Sequence, residues 1–445
     1  MADVPADIPA AGPAPGQAKG GPFAVIRGAV AATEVDLRLF GMVMALVFIV
    51  LGFGIVSGGQ YLAPSNLVTL SIQTATVAII STGMVLVIVS RNIDLSVGSL
   101  VGVVAMSYAL LMTDILPPII GLESPFMWII ALAIGIAIGA AIGGLQGFII
   151  AYIGVPSFVV TLAGLLILRG IVYVLSGGAS VAGLDPTFQL LNGQPRGSLG
   201  WTMSWLVGIA ICLAIVGLIV YNRRQRRRFG FPLRPMWAEV LIVVVGCAVT
   251  LGLVWITNSY LWPRNLATQY AEENNIPIPE GGLRIPAGIP WPLMVVLGVT
   301  VVMTFIATRR RFGRHVYALG GNPEAAELAG INVRWTVMKT YILIGILCAI
   351  AAAIASARLN SATLDVGVTY ELYVIAAAVV GGTSFAGGIG SIPGAVLGAF
   401  VMQALAYGMS FIGLSSPEQN IAIGIVLIAA VGFDSWNRRR AGGAA

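Results

Sequence analysis

The chain has 445 residues, 58% of them hydrophobic and only 9% charged, with a formal net charge of +6. A soluble domain carries about a quarter charged residues, so a mean hydropathy of +0.94 excludes an ordinary globular protein and indicates a polytopic membrane protein. A pI near 9.4 invites a nucleic-acid reading, yet the basic residues sit between apolar runs, where topology accounts for them.

Met1 to Val30 is rich in Ala, Pro and Gly and lacks an apolar h-region. No cleavable signal is expected, and residues 1–36 read as a disordered cytoplasmic tail. A hydrocarbon core of about 30 Å needs about 20 apolar residues per helical span. Twelve such stretches follow: Leu37–Ser57, Leu67–Ser90, Leu95–Thr113, Phe126–Ile153, Pro156–Leu175, Trp201–Tyr221, Trp237–Thr257, Trp291–Thr308, Trp335–Ala357, Glu371–Ala386, Pro393–Gly413 and Pro417–Trp436. The stretch Glu371–Ala386 is short and glycine-rich. Residues 37–436 thus form an all-α membrane domain, with 437–445 as a second cytoplasmic tail.

The charges test this count. With the N-terminus inside, nineteen of the 24 Lys and Arg residues fall on the inner side. Arg196, Arg264, Arg284 and Arg358 fall outside, and Arg169 lies within a span. An error of one span would reverse every later loop and scramble that asymmetry. Both termini are therefore expected to be cytoplasmic. The longest outer loop, Asn258–Pro290, could meet an extracytoplasmic partner or merely connect two spans.

Glycines recur every fourth residue at Gly135, Gly139, Gly143 and Gly147, and again at Gly390, Gly394 and Gly398. Such faces let helix backbones approach closely, either within the molecule or at a homodimer seam.

Four stretches carry candidate function. In Arg91-Asn92-Ile93-Asp94-Leu95-Ser96-Val97-Gly98, Asp94 or Ser96 suits a helix cap, and Asn92, Asp94 and Ser96 could instead form a gate or latch. Arg169 is a charge inside a span, where it either snorkels from a segment end or faces an aqueous path or an acidic partner. Gly381, Gly382, Thr383 and Ser384 open a glycine-rich run that cannot stay helical throughout. Broken backbone survives in a membrane only inside protein or beside water, so this run is a pathway or gate candidate. Glu371, at the outer start of its segment, complements a helix N-terminus or pairs with Arg169.

The fourth stretch is cytoplasmic. After the basic run Arg309–Arg314, Gly320-Gly321 make a break, Asn322 can cap a helix, Pro323 suits its first turn and Glu324 faces its positive end. The helix continues through Ala325, Ala326 and Leu328, and Gly330 is placed to end it. Two turns do not persist alone in water. The segment is either a solvated connector or a docking helix for a cytoplasmic partner.

Cys212, Cys247 and Cys348 are too scattered for a metal site or disulfide framework, and His315 is the only histidine. No metal or resident cofactor is expected. No G-x-x-x-x-G-K-[ST] loop exists, so the chain lacks that route to ATP hydrolysis. It also lacks a run of intramembrane acids to drive a proton-coupled carrier, and it lacks clustered nucleophiles for an enzyme. A stand-alone secondary carrier or channel remains the alternative to a conduit driven by another subunit.

Four motifs in order, Arg91–Ser99, Thr161–Gly164 with Arg169-Gly170, Gly320–Ala326 with Leu328–Gly330, and Ala376–Ser384 with Gly387, Gly388 and Gly390, resemble a known family. It is the permease subunits of bacterial ABC importers for monosaccharides, the ribose, xylose, arabinose and galactose group, and the likeness runs from about Asn66 to Trp436. The resemblance implies a type II ABC importer-like fold in the bacterial inner membrane. It further implies a second permease copy, a cytoplasmic ABC ATPase that holds ATP and Mg, and a periplasmic sugar-binding protein. Besides these, membrane lipid is the expected partner, and nucleic acid is not. By the same resemblance, Asn322–Gly330, with Gly321 before it, is the coupling helix. Typical members have ten spans, so residues 201–257 look like an added hairpin. That insert is similar to one in the xylose permease branch, which makes xylose the leading substrate. Within the family, a permease for branched-chain amino acids is the alternative; the long insert and the Asp94 motif favour sugar.

Overall fold

The structure is a computed structural model that describes residues 37–122, 124–193 and 195–442. The expected N-terminal tail, 1–36, lies outside the described residues. Ten helices among the described residues are long and apolar enough to cross a membrane. They are α1 (Leu37–Val56), α2 (Pro64–Val89), α3 (Val97–Leu110, continued by a π-turn to Ile115), α5 (Met127–Phe148, likewise continued to Ile153) and α6 (Ser157–Ser176). The others are α7 (Gly200–Arg228), α8 (Met236–Ser259), α10 (Trp291–Arg309), α13 (Val333–Leu359) and α15 (Ile392–Phe411). A shorter apolar helix, α14 (Tyr370–Val380), and a last helix, α16 (Ser416–Gly442), complete the twelve expected segments. Between them lie α4 (Pro117–Ile120), α9 (Arg264–Glu273), α11 (Arg311–Gly321) and α12 (Pro323–Leu328).

The helices sort by burial. The apolar window of α2 is 94% buried, against 11% for α1, α7 and α8. Thus α2 is the central post, with α10, α13, α14 and α15 packed on it, while the least buried helices turn apolar surface outward. α13 lies between α3 and α5. On the outer side a two-residue strand, β1 (Val181–Ala182), pairs antiparallel with β2 (Ser361–Ala362) and ties the exits of α6 and α13 together.

The glycine stripe of α5 is an intramolecular seam with α13. A Cβ at Gly139 would stand 2.4 Å from the Gly345 carbonyl oxygen, and one at Gly143 would stand 2.2 Å from that of Tyr341. Gly345 answers from the other side, 2.1 Å from the Gly139 oxygen. Only glycine at these positions lets the backbones come so close. Gly398 and Gly394 do the same for α15 against the carbonyls of Ala377 on α14 and of Gly381 just past its end.

Four features differ from the sequence expectation. The stretch Glu371–Ala386 is not one span: α14 stops at Val380, and the chain turns through Gly382, Gly387 and Gly388 at φ of +91°, +85° and +74°. The basic run is not a plain interruption either, because Arg311–Gly321 forms the amphipathic helix α11, which buries Val316 and Leu319. Finally, the insert is larger than a hairpin. Leu199 N–H donates to the Ile289 oxygen at 3.0 Å and Gly200 N–H to that of Ala287 at 2.9 Å. The chain therefore leaves the body near Gly200 and returns near Ile289, and α7, α8, α9 and the outer loop form one excursion with a closed base. The helix expected to end at Trp436 runs on to Gly442.

Candidate functional site

The site is organised by α3, which does not begin where α2 ends. Six residues of non-helical chain, Arg91 to Ser96, precede Val97, and Asp94 and Ser96 in this run are buried. Its depth is set by Tyr341, eight residues into α13, or about 12 Å from that helix's cytoplasmic start at 1.5 Å per residue. The Tyr341 hydroxyl donates to the Ile93 carbonyl at 3.3 Å, and Thr161 on α6 donates to the same oxygen at 3.3 Å. A chain that enters the membrane extended needs such partners for its backbone.

Asp94 does not cap α3. Its Oδ1 accepts from Ser96 N at 2.8 Å and stands 2.7 Å from Ser96 Oγ, closing a turn one residue ahead of the helix. Ser96 Oγ also lies 3.1 Å from Gln146 Oε1 on α5. Gln146 is the single polar side chain in Met127–Phe148. It fits because Gly164 of α6 has no Cβ, which would stand 2.5 Å from Gln146 Nε2. Gln146 and Tyr341 were not singled out by the motifs. A lone amide in an apolar span was the available signal for the first.

The other acid meets α3 one turn further on. A Cβ at Gly98 would lie 2.3 Å from Glu371 Oε2 and 2.2 Å from the Gly367 oxygen. Glu371 is thus seated against the first turn of α3, within reach of the Arg169 charge but not in direct contact with it. No ion pair joins it to Arg169 within 4 Å; Arg169 Nη1 instead donates to the Leu364 carbonyl at 3.3 Å. Like α3, α14 starts inside the protein, after the non-helical run 363–369, and its first residue follows Thr369 at φ +65°. Two interrupted helices therefore present their N-terminal turns to each other. Glu371 Oε2 and Ser99 Oγ, both buried, have no hydrogen-bond partner among the described residues. A buried polar atom without a partner costs free energy, so positions like these are suited to meet a polar solute.

A second cluster lies at the cytoplasmic end and joins three stretches that are far apart in sequence. The Arg91 guanidinium donates through Nε to the Gly320 carbonyl and through Nη2 to that of Gly321, each at 2.8 Å. Gly388 N–H donates to the Val89 carbonyl at 3.0 Å, and the Tyr317 hydroxyl to that of Gly390 at 2.8 Å. No side chain fits at Gly320, whose Cβ would meet the Val89 oxygen at 1.8 Å. Arg91 itself has φ +62°, a left-handed conformation that an L-residue adopts at a cost. Asn92 steadies this turn by donating to the Ser90 carbonyl at 3.0 Å.

The predicted gate residues therefore separate into two levels. Asp94, Ser96, Arg169 and Glu371 stand around the start of α3, while Gly381, Gly382, Thr383 and Ser384 open the loop that reaches the Arg91 junction. Within that loop Ser384 N–H donates to the Ile389 carbonyl at 2.9 Å, and Thr383 is buried.

From the junction hangs α12. Asn322 caps it, accepting from Ala325 N at 3.0 Å, Pro323 takes its first position, and Gly330 follows its end at φ +80°. Ala326 is buried underneath, whereas Glu324, Ala325 and Leu328 face outward, Leu328 with 90% exposure.

Residues 66–431 match the family model described as branched-chain amino acid transport system / permease component. The xylose transport system permease protein of Escherichia coli (strain K12) is 35% identical over 407 residues, covering 92% of this chain and 94% of that protein. Its counterpart in Haemophilus influenzae is 33% identical over 410 residues, covering 92% and 98%. The ribose import permease protein of Escherichia coli (strain K12) is 30% identical over 374 residues, covering 83% and 86%. No solved structure matches. Agreement over this length shows that the chain belongs to the permease family so described, as a multi-pass protein of the bacterial inner membrane.

Proposed function

We propose that the chain forms half of the translocation pathway of an ATP-driven monosaccharide importer, with D-xylose as the leading substrate. A second copy supplies the other half. A separate cytoplasmic ATPase holds ATP and Mg, and a periplasmic binding protein delivers the sugar. The relatives named for xylose and ribose support the substrate class. Unpartnered Glu371 Oε2 and Ser99 Oγ beside two helix starts suit a polyhydroxylated solute.

The observation that carries the drive is the suspension of α12. Its outward face is exposed, and the carbonyls just before it are gripped by Arg91. A push on Glu324, Ala325 and Leu328 from a partner reaches Gly320-Gly321, then the Arg91 turn and the Gly387-Gly388 loop. Those two segments lead to the starts of α3 and α15. Partner binding moves this equilibrium only insofar as it favours one arrangement over another.

The test is sugar-stimulated ATPase activity and uptake in the reconstituted complex carrying Glu324→Arg, or Ala325→Trp on the exposed face. The expected result is an assembled complex whose ATPase no longer responds to loaded binding protein. Normal coupling in both variants refutes the role of α12. Vesicles containing this chain alone that accumulate xylose against a gradient would establish a secondary carrier instead.

A further inference from the structure

The excursion that joins α7 to α8 contains a cavity of about 340 Å³ at its cytoplasmic turn. Asn222, Arg223, Arg226, Arg234, Phe229 and Phe231 line it. Glu239, the one acid among its described lining residues, is buried and taken by Arg223 at 2.5 Å. Three guanidinium groups and this carboxylate thus stand together in the wall. That wall is also built. Arg223 Nη1 donates to the Arg234 carbonyl at 3.3 Å, and Arg226 Nη1 to that of Pro232 at 3.4 Å. Guanidinium forks fixed in this way match the oxygens of a phosphate better than mobile ammonium groups do.

The rim indicates the source of the phosphate. Phe229 and Phe231 are 62% and 63% exposed, and Met236 and Trp237 beside them are exposed as well. Aromatic and basic side chains together mark the headgroup level of a bilayer, and the helices that carry them are among the least covered by protein.

We propose that this cavity binds the phosphate of an anionic phospholipid headgroup from the cytoplasmic leaflet, with the exposed aromatic rings against the start of the acyl chains. The site is independent of the transport reading. Free inorganic phosphate shares the recognising chemistry, but it would not use the apolar rim.

The test uses the full-length purified protein in mild detergent, with bound lipid read by native mass spectrometry and by thermal shift. The probes are phosphatidylglycerol, phosphatidylcholine and inorganic phosphate. Phosphatidylglycerol is expected to be retained in preference to phosphatidylcholine. Arg226→Gln with Arg234→Gln should weaken its retention roughly tenfold or more, at about 1 kcal/mol per basic residue near an anionic surface. Arg309→Gln with Arg310→Gln, in another basic stretch, should leave it unchanged. Should the arginine pair fail to fold, Asn222→Glu at the exposed mouth should give the same loss of retention, and Phe231→Ser should weaken lipid while sparing any phosphate response. Equal losses in the Arg309 and Arg310 control would overturn the site in favour of diffuse attraction. Variant-sensitive binding of inorganic phosphate without preference for phosphatidylglycerol would overturn the lipid assignment.

Discussion

Arg91 joins a cost and a gain in one residue. Its backbone sits at φ +62°, worth roughly 1–2 kcal/mol against it, while its side chain makes two charged hydrogen bonds to Gly320 and Gly321. The two contributions separate by mutation. Arg91→Gly relieves the backbone and removes the fork, whereas Arg91→Ala only removes the fork. Both variants should lose at least about tenfold in sugar-stimulated ATPase activity of the reconstituted complex, since one such bond contributes about 1.5–3 kcal/mol. The glycine variant should melt at the higher temperature in a thermal-shift assay. Coupling retained in both would show that the junction is a static brace. A different test applies at Gly164. There, alanine would press on Gln146 Nε2 at 2.5 Å, with an expected loss of about 1–3 kcal/mol. Gln146→Ala should abolish most of that penalty in a double-mutant cycle.

At the scale of the helix, the α5–α13 seam decides more than the hydrophobicity of either partner. Gly143→Ala puts a methyl 2.2 Å from the Tyr341 oxygen, whereas Gly144→Ala, one residue on, meets Ile342 Cγ1 at 3.4 Å. The first should lower the thermal midpoint by several degrees, for a clash of about 1–3 kcal/mol. The second should be close to neutral; equal effects would mean that helix propensity, rather than the seam, governs. This face was legible in the sequence because four glycines at a spacing of four define one side of a helix. So were the Asn322 cap, the Pro323 start and the spans, each written in residue types with local conformational consequences. The meeting of Arg91 with Gly320 and of Gly98 with Glu371 was not legible. Those pairs are separated by 229 positions in the first case and by most of the membrane domain in the second. Nothing local in Gly98 states which carboxylate fills the space beside it. Equally, α14 ends at Val380, just before Gly382 adopts left-handed backbone, and apolar composition alone does not reveal where such a turn falls.

The whole molecule divides into a body and an excursion. Since Leu199 and Ile289 are hydrogen-bonded neighbours, residues 200–288 can be replaced by a short Gly-Ser bridge with both ends already in place. The shortened chain is expected to insert, dimerise and couple to its ATPase, while losing retention of anionic lipid. Failure to assemble, seen as loss of the monodisperse species on size exclusion, would show that α8 supports α2 instead. The excursion's two spans were legible as apolar stretches of sufficient length. Its closed base was not, because the closing hydrogen bonds lie between backbone groups.

The junction beneath α12 carries a final implication. A rigid linkage has no preferred direction, and a free energy shared between two sites must be felt equally at both. If nucleotide on the ATPase alters how firmly a sugar-loaded delivery protein is held outside, then that delivery protein must alter nucleotide affinity by the same factor. Measuring the two factors in one preparation, and again with Arg91→Ala, would show how much of this mutual influence travels through a single guanidinium.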